Sequence, residues 1–276
     1  MLLELRGVYF KYAELGANKA ALNGIDLTVS EGDSIALVGP SGSGKSTVLL
    51  HLDGLLRPAA GRVLYMGGDI HAKGFDLSRL RRDVGLLFQF AETNFFGQTV
   101  YEDVAYAPLN HGLRGRALAQ AVTRALEMVR LAPSVKDRSP FSLSGGEKRK
   151  VALAGVLAMQ PRVLLLDEPT SGLDPGTRAN LLSLLNDLNR QGTAMVMVSH
   201  DLDEVADIAR QAVVLKDGRV ADKGSVREVL TSPDLESWDL EPPEAVRLGK
   251  LLGLKSKGMP VLSEAEAVSA ILARGK

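Results

Sequence analysis

The chain contains no cysteine, so neither a disulfide framework nor a thiolate metal site is possible, and a reducing compartment is compatible with the composition. It also lacks a charge of one sign. Lys and Arg number 33 and Asp and Glu number 33, so no global field draws the chain onto DNA, RNA or anionic lipid, and nucleic acid is not an expected partner. Long apolar runs are missing too. Val151 to Met159 and Val163 to Leu166 fall far short of the roughly 20 residues needed to cross a bilayer, so any membrane role has to run through another chain. The first seven residues include Glu4 and Arg6 in place of an apolar signal core, and no secretory signal is expected. The four histidines, at 51, 71, 111 and 200, are scattered and offer no transition-metal cluster.

A chain of 276 residues suggests one large domain, or one domain with appendages. Ser34 to Val38 is an apolar run that stops at glycine, and Ser46 to Leu52 has helical composition. Strand, glycine loop and helix therefore follow directly on one another. A helical insertion is expected between Asp76 and Arg138, with a helix from Ala117 to Leu131 ending before Pro133. Further on come a helix opening at Gly145, a strand at Val163 to Leu166, a helix from Pro175 to Arg190 and a strand at Ala194 to Val198. This alternation implies a mostly parallel α/β sheet. Past Gly224, prolines at 233, 242 and 243 punctuate a polar tail with helical patterns at Glu244 to Leu252 and Ser263 to Ala273.

Residues Gly39, Pro40, Ser41, Gly42, Ser43, Gly44, Lys45 and Ser46 fit the spacing G-x-x-x-x-G-K-[ST]. Small residues let backbone N–H groups turn onto phosphate oxygens at a helix N-terminus, Lys45 neutralises phosphate charge, and Ser46 can ligate Mg²⁺. By itself the loop does not choose between kinases, GTPases and ATPases. The strand at Val163 to Leu166 delivers Asp167 and Glu168 at its C-terminal end, where open α/β sheets bind ligands. Asp167 is the candidate Mg²⁺ ligand and Glu168 the group that polarises water; a solvated acidic turn is the plainer alternative. Ser144, Gly145 and Gly146 open another helix, a natural anion site but a weak signal alone.

The phosphate loop, Leu143-Ser144-Gly145-Gly146-Glu147, the run from Leu164 through Asp167-Glu168 to Asp174, and Ser199-His200 occur in that order. Over about Leu2 to Gly224 the chain resembles the nucleotide-binding subunits of ABC transporters, which implies a P-loop NTPase fold with an N-terminal antiparallel β subdomain and an inserted helical subdomain at about 90–160. On that resemblance residues 1–229 form the ATPase domain and 230–276 a small helical extension that holds a dimer together or is a solvated tail. Two cassettes would sandwich ATP head to tail. The loop and Thr47 would bind one ATP, and Ser144, Gly145 and Gly146 would reach the γ-phosphate on the partner's loop. Gln89 would sense Mg²⁺ and the attacking water and link to a membrane subunit. Tyr12 would stack on adenine, with core packing of Tyr9 and Phe10 the rival reading. His200 would contact the γ-phosphate, and Asp174 would couple the two sites, cap the next helix, or do both.

The stretch Phe88 to Phe96, with Thr99 to Asn110, Glu147 to Gly155 and Pro242 to Leu248, is similar to the energy-coupling-factor subgroup, although Ala91 stands where a proline is usual and Asn94 where a glutamine is usual. That subgroup imports vitamins or cobalt and nickel ions. It implies two ATPases on the cytoplasmic face of the membrane, gripping a transmembrane coupling protein beside a separate substrate-capture membrane protein. The competing classes are a soluble ABC ATPase acting on ribosomes or DNA, disfavoured by the single phosphate loop, the lack of heptads and the balanced charge, and a small-molecule kinase, which leaves Leu143 to Glu147 unexplained.

Overall fold

Two sheets share the work of burial in the computed structural model, which describes residues 1–13, 20–256 and 258–274. The smaller sheet is antiparallel. It runs β2 (Leu22–Val29), β1 (Leu3–Phe10), β4 (Ala60–Tyr65) and β5 (Gly68–Asp69). The larger sheet uses β3 (Ser34–Val38), β6 (Val84–Leu87), β7 (Val163–Asp167), β8 (Ala194–Val198), β9 (Gln211–Lys216) and β10 (Arg219–Ser225), in the order β10-β9-β3-β8-β7-β6. Five of these strands are parallel and β10 closes one edge antiparallel.

The parallel strands are apolar at nearly every position because both faces are covered. Ile35, Leu37, Val163, Leu165, Val196 and Val198 face the antiparallel sheet and α1 (Lys45–Leu52). Ala36, Val38, Leu164, Leu166, Met195 and Met197 face a second core. That core is closed by α3 (Val100–Asn110), α4 (Gly115–Met128), α5 (Gly145–Leu157), α6 (Pro175–Arg190) and α7 (Leu202–Ile208). The short α2 (Leu77–Asp83) precedes β6. Alternation with period two thus assigns odd and even residues of each strand to different cores.

Several elements match their sequence expectations residue for residue, including β3, α6 and β8. The helix expected at Ala117 to Leu131 is α4, which ends at Met128 because Arg130 takes a left-handed φ of 57°. The helix opening at Gly145 ends at Leu157 instead of reaching Pro161.

After α8 (Val226–Leu230) the tail contributes to two cores. Leu235, Leu240, Val246 and Leu262 join the main one. Ala245, Leu254, Val261 and Ala267 form a small one of their own between α9 (Glu244–Leu252) and α10 (Glu264–Arg274), beside the hairpin β11 (Lys255–Ser256) and β12 (Met259–Pro260). Residues 257, 275 and 276 of the expected extension lie outside the described residues.

Helix α1 ends on Asp53, whose carboxyl is pushed up from 3.8 to about 7 by burial, against the pull of Arg81. A carboxylate at a helix C-terminus also faces the negative end of the dipole. Between those two pH values the folded chain holds a proton that the unfolded chain has lost. The contribution of Asp53 to stability is therefore full below 3.8 and is lost as pH rises through about 7. Asp53→Asn is expected to be more stable than the parent at pH 8, by an amount approaching about 4 kcal/mol, and equal to it at pH 3.5, as read by urea unfolding. The same difference at both pH values would contradict this.

Candidate nucleotide site

The C-terminal ends of the parallel strands converge on one edge of the large sheet. Beyond β3, Gly39 has φ 139° and a Cβ there would lie 2.0 Å from the Leu215 carbonyl oxygen; at Gly44, φ is 106° and a Cβ would lie 2.5 Å from the Ala21 oxygen. Both positions exclude a side chain. The loop so formed feeds α1, whose N-cap, Gly44, offers no side-chain cap and leaves the first-turn N–H groups without one. Lys45 Nζ donates to the carbonyls of Gly39 at 2.7 Å and Pro40 at 2.9 Å. Ser43 is buried and its hydroxyl has no partner among the described residues.

Strand β7 ends at Asp167, and Glu168 follows with a left-handed φ of 47°. Its N–H donates to Val198 O at 3.0 Å, which ties the turn to β8. One oxygen of the Glu168 carboxylate, Oε2, accepts from Gln89 Nε2 at 3.3 Å and lies 3.0 Å from His200 Nδ1. The Asp167 carboxyl is hydrogen-bonded by the Ser46 side chain, but burial outweighs that bond and raises its pKa, with Glu168 adding to the rise. Burial lowers the pKa of Lys45, while Glu168 and Asp167 oppose that change. Tyr12, Gly39, Ser41, Gly42, the residues from Gly44 to Thr47, Gln89, Asp167, Glu168 and His200 line one open cleft of about 490 Å³, while Pro40 and Ser43 of the loop do not.

Ser144, Gly145, Gly146 and Asp174 do not line it. They line a second cleft of about 430 Å³ with Gly172, Leu173 and Thr177. Ser144 caps α5 in a capping box, accepting from Glu147 N–H at 3.3 Å while Glu147 Oε2 accepts from the Ser144 N–H at 3.0 Å. Asp174 caps α6 by accepting from Thr177 N–H at 3.0 Å, and the Thr177 side chain and N–H hold its pKa down. Pro175 sits at the first helical position.

Sequence reasoning missed Arg149. It is 1% exposed and joins three segments. Its guanidinium donates to Glu92 Oε2 at 2.5 Å, Pro169 O at 2.8 Å and Glu168 O at 2.9 Å. The signal was present: Arg149 stands in the same helical phase as the buried Leu153 and Leu157. Its partners, 57 and about 20 residues away in sequence, gave none. Arg178 was missed similarly; it pairs with Asp201 at 2.5 Å and Glu204 at 2.6 Å, bracing the turn that follows His200.

Residues 22–171 match the family model described as ABC transporter. The energy-coupling factor transporter ATP-binding protein EcfA2 of Symbiobacterium thermophilum is 46% identical over 254 residues, covering 91% of this chain and 88% of the relative. EcfA of Methanocaldococcus jannaschii is 39% identical over 255 residues, with 92% and 90% covered. The chain belongs to the ATP-binding proteins of energy-coupling factor transporters. As a member of that ABC family it is an ATPase whose turnover is coupled to transport. Among solved structures, cbiO1 of Clostridium perfringens, described as part of the ABC transporter complex cbiONQ, superposes with a TM-score of 0.76 at 31% identity, covering 92% of this chain and 99% of that one. The ATP-binding cassette MJ0796, solved as a dimer bound to ADP and Pi, gives 0.73 at 30% identity, covering 82% and 99%.

Removing Arg149 leaves the Glu92 carboxylate, 21% exposed, without this cation and two backbone carbonyls without their donor. Arg149→Met is expected to cost about 3 kcal/mol or more in denaturant unfolding, and adding Glu92→Leu to recover only the part due to the ion pair, because the Pro169 and Glu168 carbonyls lose their donor in both variants. Equal losses in the single and double variants would contradict the pairing.

Proposed function

We propose that this chain is one of two cassettes of an energy-coupling-factor importer, working as a peripheral subunit on the cytoplasmic face of the membrane. The observation that carries the reading is the division of the expected ATP contacts between two separate clefts of one chain, the phosphate loop in one and Ser144 to Gly146 in the other. Each half is completed by a second cassette, the same chain or a companion, placed head to tail. A cassette solved as a dimer with ADP and Pi supports this arrangement.

In this reading the loop N–H groups, Lys45 and Thr47 hold the phosphates, Tyr12 stacks on the base, and Ser144, Gly145 and Gly146 of one cassette close over the γ-phosphate of the other. The hydroxyl of Ser46, the carboxylate of Asp167 and the amide oxygen of Gln89 form an all-oxygen donor set of the kind a hard cation takes. They would hold Mg²⁺, which when bound neutralises phosphate charge. Glu168 is the base. Gln89 and His200 both engage Oε2, which leaves the other oxygen to polarise water for attack on the γ-phosphorus, giving ADP and phosphate. His200 also stabilises γ-phosphate charge, and Asp174 couples the paired sites.

Coupling to the membrane is read from a neighbouring pair of residues. Phe88 lines an apolar groove of about 470 Å³ with Leu55, Leu86, Tyr106, Val156 and Met159, whereas Gln89 lines the phosphate cleft. A transmembrane coupling protein seated in the groove would therefore act one peptide away from a Glu168 partner, and a substrate-capture membrane protein would choose the cargo, a vitamin or a cobalt or nickel ion. Residues 230–276 serve as an extension that holds the dimer between ATP cycles. Leu248, Leu251 and Leu252 on α9 and Val268, Ile271 and Leu272 on α10 are exposed apolar residues suited to that contact.

Glu168→Gln keeps the shape of the cleft and removes the base. Phosphate release is expected to fall on the order of 100-fold or more with ATP affinity retained. Release at the parent rate would remove Glu168 from this role.

A further inference from the structure

Beneath Tyr12 lies a residue that phosphate chemistry does not use. His51 is 0% exposed, on the buried side of α1. Its Nδ1 lies 2.7 Å from the Thr47 carbonyl oxygen. A carbonyl only accepts, so Nδ1 carries the hydrogen and Nε2 is a bare acceptor. That Nε2 is buried without a partner among the described residues. Burial pushes the imidazole's pKa down, against the pull of the Thr47 bond and with a further push from His71, so the ring stays neutral. A leucine would fill this space with no orphaned polar atom, and a buried unpaired acceptor is a standing penalty that calls for a reason.

The contacts supply one. The His51 ring meets Phe10 at 4.8 Å and 75°, and Phe10 meets Tyr12 at 4.9 Å and 90°. Edge contacts of this kind fix the orientation of each ring relative to the next. The Tyr12 hydroxyl lies 3.2 Å from Thr47 Oγ1, and Thr47 is the residue whose carbonyl holds His51. The four residues close a circle, from the end of β1 through α1 and back. Tyr12 stands two residues beyond β1, outside any strand ladder, so these side-chain contacts are what hold its plane.

We propose that His51 is a positioning residue for the nucleotide base: tethered to Thr47 and set against Phe10, it fixes the face of Tyr12 on which the base stacks. This rests on the reading of Tyr12 as the base platform.

Calorimetric titration of the full chain with ATP, and competition by inorganic tripolyphosphate, separates base from phosphate binding. His51→Leu is expected to weaken ATP binding about five- to tenfold, in the range of one stacking contact, to leave tripolyphosphate binding unchanged, and to raise KM with kcat unaltered. Phe10→Leu interrupts the same circle at another point and is expected to do likewise, which keeps the test open if His51→Leu does not fold. Tyr12→Ala separates the two ideas. If Tyr12→Ala weakens ATP binding while His51→Leu and Phe10→Leu bind it as the parent does, the positioning role is overturned. If His51→Leu weakens both ligands equally, His51 serves only to shape α1 and the proposal also falls. If Tyr12→Ala binds ATP normally, the platform reading fails and takes this inference with it.

Discussion

The charge balance around Lys45 is what the rest of the cleft is arranged to keep. A half-buried ammonium is held by two carbonyls of its own loop, within the field of Asp167 and Glu168. Burial disfavours the charge and the carboxylates partly offset that. A polyphosphate fits this geometry because it brings negative charge to a helix N-terminus whose first-turn N–H groups lack a side-chain cap. The glycines at 39 and 44 are required for the same reason, since a Cβ at either would meet a backbone carbonyl and push the loop off its path.

Parallel topology then does the gathering. Strands β3, β6, β7 and β8 all end at one edge, so Gly39, Gln89, Asp167, Glu168 and His200 meet although they span most of the chain. Helix caps do the separating. Ser144 and Asp174 are occupied with starting α5 and α6, in a cleft that shares no lining residue with the one around Lys45. Arg149 ties the Glu168 carbonyl to Glu92 in the turn after Gln89. A shift of that turn is thereby linked, through an ion pair whose arginine is buried, to the backbone of the proposed base.

The parts legible in the sequence were those written contiguously. The loop from Gly39 to Ser46, the acidic end of β7, and the Ser-Gly-Gly opening of α5 each need only a few neighbouring residues to make their chemistry, so their motifs carry it. Strand and helix bounds such as β3 and α6 were also readable, because both-face burial and a proline start leave local marks. The burial of Arg149 was marked by its helical phase, but the partners of Arg149 and Arg178 and the circle through His51 were not readable. Each depends on partners that only folding brings close, and His51 looks in sequence like an ordinary polar interruption of an apolar helix.

The claim on which the account turns is that one ATP is held by two cassettes. The absence of native cysteine allows a direct measurement, in which Ser41→Cys in one copy and Ser144→Cys in another, or in the matching serine of a companion cassette, are tested for a cross-link in the Glu168→Gln background. The account predicts an inter-chain link that forms when ATP and Mg²⁺ are added and not before. A link that ignores ATP, or none at saturating ATP with either partner, would contradict it.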